Sequence, residues 1–293
     1  MQEPAAEPPL QVVLVHWNQP ERCIETVAAF RSQEVAVDVL VVDNGSEPEA
    51  VDKLRANLDD VELLTLAGNT GFGPGANAGL RRWLADPSRS EWVAVAPHDA
   101  LPKPGCLDRV LTAVSARSRA GLACADVGDG RRPVVDPYFG GITLPITKTA
   151  ADGWVEAGYP HGTLLFARRA CLQDVGLFDE RYFAYCEEAD LGERARRAGW
   201  EVGLIKGADV RNPHLGGASA VVDYLMLRNT LLLVRDNFGR YKATIRLLMA
   251  VAQLLDGWLR PHRRPAVFMP QARWRAMGDF LRGRFGAPGS GLP

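Results

Sequence analysis

Apolar, β-branched-rich runs that stop at a polar turn and lead into a helix-period segment constrain this chain more than any other feature. Val12 to His16 is followed by the turn Asn18-Gln19-Pro20, then by Arg22 to Arg31, where Cys23, Val27 and Phe30 share one helical face. VDVLVVD (37–43) is followed by Asn44-Gly45-Ser46 and a helix near Glu49–Leu58. A strand at Val61–Leu66 precedes the glycine-rich loop GNTGFGPGANAG (68–79), which opens a helix through Trp83, and WVAVAP (92–97) is a fourth strand. This alternation predicts an α/β fold, Rossmann-like, with a mostly parallel central sheet and helices on both faces. Such sheets bind ligands beyond the carboxyl ends of their strands. Trp17, Asn18, Asp43, Asn69 and Asp99 all fall at that address.

The 293 residues, 47% hydrophobic and 24% charged, suit one large α/β domain with an appendage. We expect a disordered start (1–9), an α/β domain (10–220) and a helical C-terminal region (221–293). The net charge of −1 hides an asymmetry, since twelve Arg or Lys face three Asp or Glu from Tyr224 onward. Five scattered cysteines without a CxxC fit neither a disulfide framework nor a zinc site, and they point to a reducing cytoplasm. The first residues lack the basic and apolar regions of a signal peptide. Arg246 and Asp256 interrupt the longest apolar stretches, against a membrane-spanning helix. The segment 121–160 is poorly periodic and leaves room for a flexible loop over the site.

The stretch from Val175 to Trp200 carries the densest chemistry. Glu187, Glu188 and Asp190 follow the aromatics Tyr182, Phe183 and Tyr185, ahead of a helix-period run with Leu191, Ala195 and Ala198. Acids at a helix start gain from its positive end, so a plain helix N-terminus explains them locally. A carboxylate walled by aromatics is also where a raised pKa makes a base. Gly71, Gly73, Gly75 and Ala76 nearly spell a dinucleotide fingerprint, but they follow the third strand rather than the first. Asp43 is equally a turn former or an acceptor for a nucleobase imide or ribose hydroxyl. Asp99 and the loop histidine His214 together would offer an oxygen and a nitrogen to a divalent cation.

Seven segments in order carry a family resemblance: VVLVHWNQPE, LVVDNGS (40–46), GNTGFGPGANAGL (68–80), APHDALPKPGCL (96–107), the long run 161–202, HLGGAS (214–219) and YLMLRN (224–229). Over about residues 11–240 the chain resembles the family 2 inverting glycosyltransferases of the GT-A fold, in particular a rhamnosyltransferase- and galactofuranosyltransferase-like branch. The resemblance implies transfer of a sugar from a dTDP- or UDP-linked donor to an acceptor hydroxyl with inversion. Trp17, Asn18 and Asp43 would hold the base and ribose, and Asn69, Gly71 and Asn77 would shape the loop beside the nucleotide. Asp99 matches the last acid of the family's metal motif and His214 its late histidine, which implies Mg2+ or Mn2+ bridging the diphosphate. Glu188 takes the position of the base, Glu187 is its neighbour, and Asp190 caps or orients the next helix. Arg228 and Asn229 match a helix pattern without an assigned role.

Two positions depart from the family. Pro97 cannot ligate, and His98, counted with the nucleotide-side residues, is a poor oxygen-ligand substitute. The base is Glu where the family usually has Asp. The acceptor stays open among a glycolipid, a polysaccharide and a small natural product. The apolar Thr244–Leu259 with the basic 262–264 fits peripheral contact with the inner membrane face, or packing on the domain or in a homodimer. Nucleic acid is not expected. A nucleotide-sugar-binding protein without catalysis and, behind it, a nucleotidyltransferase are the competing readings.

Overall fold

The computed structural model describes residues 8–213, 219–264 and 267–289. Seven of the nine residues expected to form a disordered start therefore lie outside the description. The first half alternates as expected: β1 (Leu10–His16), α1 (Pro20–Arg31), β2 (Val37–Asp43), α2 (Pro48–Asn57), β3 (Glu62–Thr65), α3 (Phe72–Ala85) and β4 (Trp92–Pro97). A two-residue β5 (Leu101–Pro102), α4 (Cys106–Ser115) and β6 (Ala120–Asp126) follow. Then come the hairpin β7 (Arg131–Asp136) and β8 (Gly140–Pro145), β9 (Trp154–Glu156), β10 (Leu165–Arg168), α5 (Arg169–Val175), α6 (Glu187–Arg197) and β11 (Glu201–Arg211). Three long helices complete the chain: α7 (Ala220–Phe238), α8 (Arg240–Leu259) and α9 (Pro270–Leu281).

The main sheet runs β3-β2-β1-β4-β10-β6-β11-β5, with β9 on β11. Strands β3, β2, β1 and β4 are parallel, as are β6 and β11, while β10 runs antiparallel between the two groups. Side chains alternate across this sheet with period two. Val12, Leu14, Val39, Val41, Ala94 and Ala96 pack with Cys23, Val27 and Phe30 of α1 and Val110 of α4. Val13, Val15, Leu40, Val42, Val93 and Val95 pack on the opposite side with Leu80 and Trp83 of α3 and Leu191 of α6. Helices thus cover both faces, and parallel strands buried on both sides read as continuous apolar runs.

Two expectations change. The segment 121–160 is largely β structure rather than one flexible loop. Its strand β6, AGLACAD, is completely buried yet built from small residues of weak strand propensity, which hid it. The glycine loop also ends early, because α3 begins at Phe72 and takes its glycines inside the helix. Gly79 shows why: a Cβ there would sit 2.5 Å from Val13 Cγ1 in β1. Gly79→Ala is therefore expected to destabilise the protein in urea unfolding. The overpacking cost of about 1–3 kcal/mol exceeds the helix-propensity gain of at most about 1 kcal/mol. A more stable variant would show that α3 can move off the sheet.

Candidate active site

The parallel register brings the strand ends level, with His16 opposite Asp43 and Val15 opposite Pro97. His16 and Asp43 are both fully buried. The Gln19 N–H donates to His16 Nε2 at 3.1 Å, which assigns the ring proton to Nδ1, and Nδ1–H donates to Asp43 Oδ1 at 3.0 Å. Asp43 Oδ2 accepts from the Ser46 N–H at 3.3 Å. Burial opposes charge on Asp43, but the His16 and Ser46 hydrogen bonds outweigh it and hold its pKa below the ordinary value. The carboxylate expected to meet a base or ribose is thus enclosed, and its direct contacts fix the two turns. Asn18, at φ +51°, locks them together. Its N–H donates to Ser46 Oγ at 2.9 Å and its Oδ1 accepts from the Glu47 N–H at 2.8 Å. Trp17 stands beside them, 47% exposed.

Asn44, buried just past β2, organises the next loop. Its Nδ2 donates to Asn69 Oδ1 (3.2 Å) and to the Gly71 carbonyl (2.9 Å), and its Oδ1 accepts from the Thr70 N–H (3.0 Å). Asn69 Oδ1 also accepts from the Gly71 N–H at 2.9 Å. Gly71 adopts φ +100°, and a Cβ there would fall 2.0 Å from the Phe183 carbonyl oxygen. Only glycine lets the loop reach the acidic segment so closely, and the Phe72 N–H seals the contact by donating to that carbonyl at 2.8 Å. Asn77 does not line this loop as expected. It is buried, with Nδ2 donating to the Phe178 carbonyl (2.9 Å) and Oδ1 accepting from the Phe178 N–H (3.1 Å), and so ties α3 to the acidic segment.

That segment enters α6 through two successive left-handed residues, Tyr185 (φ +70°) and Cys186 (φ +73°). Such conformations are costly for residues other than glycine and persist only where surroundings impose them. Asn229 of α7 does so, donating Nδ2 to the carbonyls of Ala184 (2.7 Å) and Tyr185 (3.0 Å). Its neighbour Arg228 donates to Asn229 Oδ1 (3.2 Å), the Tyr224 hydroxyl (3.0 Å) and the Gly286 carbonyl (2.6 Å). The helix pair without an assigned role is thus the brace of the acidic turn.

Glu187 and Glu188 open α6 side by side. Glu187 is buried against Gly73 and Phe178 with Oε2 unpartnered, and burial first, then the Glu188 charge, pushes its pKa well up. Glu188 is half-buried and lies against Gly162. Burial raises its pKa too, while its own backbone amide and that of Gly162 work the other way. The aromatic wall is met in part. Tyr185, 38% exposed, has its hydroxyl raised by burial and then by the Glu187 and Glu188 charges, so it stands near both acids. Tyr182 is buried away with Leu232 and Leu233, and Phe183 packs toward the C-terminal helices. Tyr159 adds to the wall near Glu188, its hydroxyl raised by burial and by that charge. Asp190 is not beside these acids in role. It accepts from Arg194 Nε (2.8 Å) and Asn237 Nδ2 (3.0 Å), joining α6 to α7, and it provides no cap to the helix.

Asp99 follows β4, and Asn212 at the end of β11 donates to its Oδ1 at 2.9 Å. The backbone N–H of His98 donates to the Val15 carbonyl (3.1 Å), and ring Nδ1 donates to the same oxygen (3.3 Å), which leaves Nε2 as the acceptor. Burial, chiefly, holds His98 below the ordinary imidazole value, with Asp99 opposing. His214 lies outside the described residues. Among those described, no three His, Cys, Asp or Glu gather to hold a metal. Asp99 still fits a hard cation as one oxygen ligand, because such ions complete their shell with ligand oxygens and water. A cavity of about 530 Å³ lined by Arg117, Trp154, Trp200 and Glu201 lies by the start of β11, at the opposite end of the sheet from Asp99.

Of the residues singled out in the sequence, the structure gathers Trp17, Asn18, Asp43, Asn69, Gly71, His98, Asp99, Glu187 and Glu188 around one sheet edge. His16, Asn44, Tyr159, Gly162 and Asn229 had not been singled out for that site. His16 and Asn44 carried a usable signal as polar residues flanking apolar strands. Glu187→Gln tests the electrostatics directly. An acid whose folded pKa is raised contributes least above it, so wild-type stability falls as pH rises from the unfolded value of about 4.3. The stability of the variant relative to wild type is expected to grow across that rise in denaturant titrations. A difference independent of pH would contradict the assignment.

Comparison with known proteins bears on the family and the fold. The model of glycosyltransferase-like family 2 matches residues 8–229. An N-acetylglucosaminyl-diphospho-decaprenol L-rhamnosyltransferase of Mycobacterium tuberculosis is 30% identical over 206 residues. The shared region is 60% of this chain and 66% of that relative, just under two thirds of its length. The low-salt glycan biosynthesis hexosyltransferase Agl10 of Haloferax volcanii is 23% identical over 85% of this chain and 83% of its own. Among solved structures, the mannosyltransferase PcManGT of Pyrobaculum calidifontis, in complex with GDP-Man and Mn2+, superimposes with a TM-score of 0.56 at 16% identity, covering 96% of this chain and 86% of its own. GalNAc-T7 with UDP, GalNAc and Mn2+ gives 0.62 at 12% identity, covering 95% and 57%. The shared feature is the GT-A fold.

Proposed function

We propose that this chain, which belongs to glycosyltransferase-like family 2, moves a sugar from a nucleotide-diphosphate donor to an acceptor hydroxyl with inversion, and that Glu188 is the base. The observation that carries this reading is Glu188 itself: half-buried against Gly162, which precedes β10, in the first turn of α6 and with a raised pKa. Inverting transfer is a direct displacement at the anomeric carbon. Glu188 accepts the acceptor's hydroxyl proton as the new bond forms, and the diphosphate leaves with the bonding pair. Glu187, kept protonated by burial, adds no second negative charge beside the incoming oxygen.

On the donor side, Trp17 offers an exposed aromatic face to the base. The loop held by Asn44 and Asn69 lies between the nucleotide and the acids. Asp99 would hold Mg2+ or Mn2+ together with the donor's own diphosphate oxygens. Such an ion, when bound, supplies positive charge for the leaving group. The two solved neighbours carry Mn2+, which supports this role. The mycobacterial relative's name, an N-acetylglucosaminyl-diphospho-decaprenol L-rhamnosyltransferase, supports a rhamnosyl donor and a diphosphate-linked lipid acceptor, and we take the donor's nucleotide to be dTDP or UDP.

Glu188→Gln is expected to lower transfer by about a hundred- to ten-thousand-fold while leaving the Kd for the nucleoside diphosphate unchanged. Transfer at the wild-type rate would remove Glu188 from the mechanism. In the wild type, a chelator is expected to suppress transfer, and Mn2+ or Mg2+ to restore it. Unchanged transfer after metal removal would leave Asp99 without that role.

A further inference from the structure

The C-terminal helices present one surface that the proposed transfer does not use. Helix α8 is two-sided. Inward, Ala243, Ala250 and Gly257 are buried, and Leu247, Val251 and Leu254 join the cluster that packs α8 with α7 and α9. Outward, Tyr241, Leu248 and Leu255 recur every seven residues, and Leu259 follows one turn on. Helical geometry gathers these four into an arc of about 40°. Tyr241 is 75%, Leu248 63% and Leu259 82% exposed. The exposed Thr244 and Ala252 complete the stripe, and no charged residue falls on it. Trp258, also exposed, flanks its far end.

The ends of this stripe are cationic. Residues 240–264 hold six Arg or Lys and one acid, Asp256, and Asp256 is already paired with Arg260 at 3.0 Å. Arg240 and Lys242 stand at the start of the stripe, and Arg260 and Arg264 follow its end. An exposed apolar patch with a polar rim marks a surface that meets something. A second copy seated on it, in either direction, sets cationic end against cationic end, which opposes pairing. A surface with acyl chains beneath anionic headgroups suits both features, since the chains take the stripe and the headgroups take the ends. The ring of Trp258 fits the boundary between the two. Among the described residues no helix is long and apolar enough to cross a membrane, so α8 suits lying on a bilayer rather than spanning it. We propose that the outward face of α8 docks the protein on an anionic lipid bilayer, with the helix axis in the plane of the surface. The cluster on the inner side of α8 includes Phe183 and Ala184. Docking therefore holds the acidic turn within about 10–12 Å, one helix diameter, of the lipid.

The test is flotation of the full chain with vesicles of phosphatidylcholine alone and of an equimolar mixture with phosphatidylglycerol. Wild type is expected to float with the mixed vesicles and to bind them more tightly than phosphatidylcholine, the difference shrinking as salt screens the cationic ends. Leu248→Ser combined with Leu255→Ser is expected to lower the partition coefficient at least about tenfold, because two leucines no longer enter the acyl region. Both side chains are exposed, so this variant is expected to unfold at the wild-type denaturant concentration. Wild-type binding by the double variant, or wild type left behind by both kinds of vesicle, overturns the proposal. Equal binding to the two kinds of vesicle overturns the anionic character of the surface. Sedimentation without lipid supplies one further outcome: a wild-type dimer that the two serines dissociate assigns the face to a second copy and overturns docking on lipid. Vesicle binding needs neither donor nor acceptor, so its failure leaves the reading of Glu188 intact. An inactive Glu188→Gln that still floats leaves the docking face intact.

Discussion

The hydrogen bonds from Asn229 to the carbonyls of Ala184 and Tyr185 hold the feature on which the site depends. Two consecutive left-handed residues deliver Glu187 and Glu188 to the first turn of α6, a backbone path that neither tyrosine nor cysteine favours. Arg228 fixes Asn229 from one side, and the carbonyl of Phe183 docks the same segment onto Phe72 from the other. The acids are therefore placed jointly by the sheet layer, through α3, and by the C-terminal helices, through α7. This makes α7 part of the brace that holds the acidic turn, and the family match likewise reaches into it, to residue 229.

Burial then divides the labour between like groups. Asp43 and Glu187 are both enclosed carboxyls, yet their pKa values move in opposite directions. Asp43 has an imidazole N–H and a backbone N–H to offset its desolvation. Glu187 leaves an oxygen with no donor and has a second carboxylate beside it. The first is held charged by its donors and fixes turns, while burial and the neighbouring Glu188 charge favour the proton on the second. Asp190, the third acid, is neutralised by Arg194 and spent on helix packing.

Much of this was legible from residue order. Val37–Asp43 and Trp92–Pro97 were read to the residue, because parallel strands covered on both faces leave uninterrupted apolar runs. What escaped depended on long-range contact. Strand β6 lacks β-branched residues and owes its conformation to β10 and β11. The helical start at Phe72 was masked by glycines that serve close packing. Tyr159 and Gly162 meet Glu188 only through the fold, and no spacing announces them. The apolar positions of α8 were expected to suit core packing, or else a membrane surface. In the structure both kinds of surface occur: Ala243, Ala250 and Gly257 are buried with Leu247, Val251 and Leu254 packed beside them, while Leu248, Leu255 and Trp258 face out.

The central claim is that the Glu188 carboxylate takes the acceptor proton. The most direct measurement is the pH dependence of kcat/KM for the acceptor in wild type and in Glu188→Asp, which keeps a carboxylate but shortens its reach. The expected result is a wild-type acid limb with its midpoint above the ordinary glutamate value of about 4.3 and a displaced midpoint in the variant, since the limb must follow the group that titrates. Superimposable limbs in the two proteins would contradict the account.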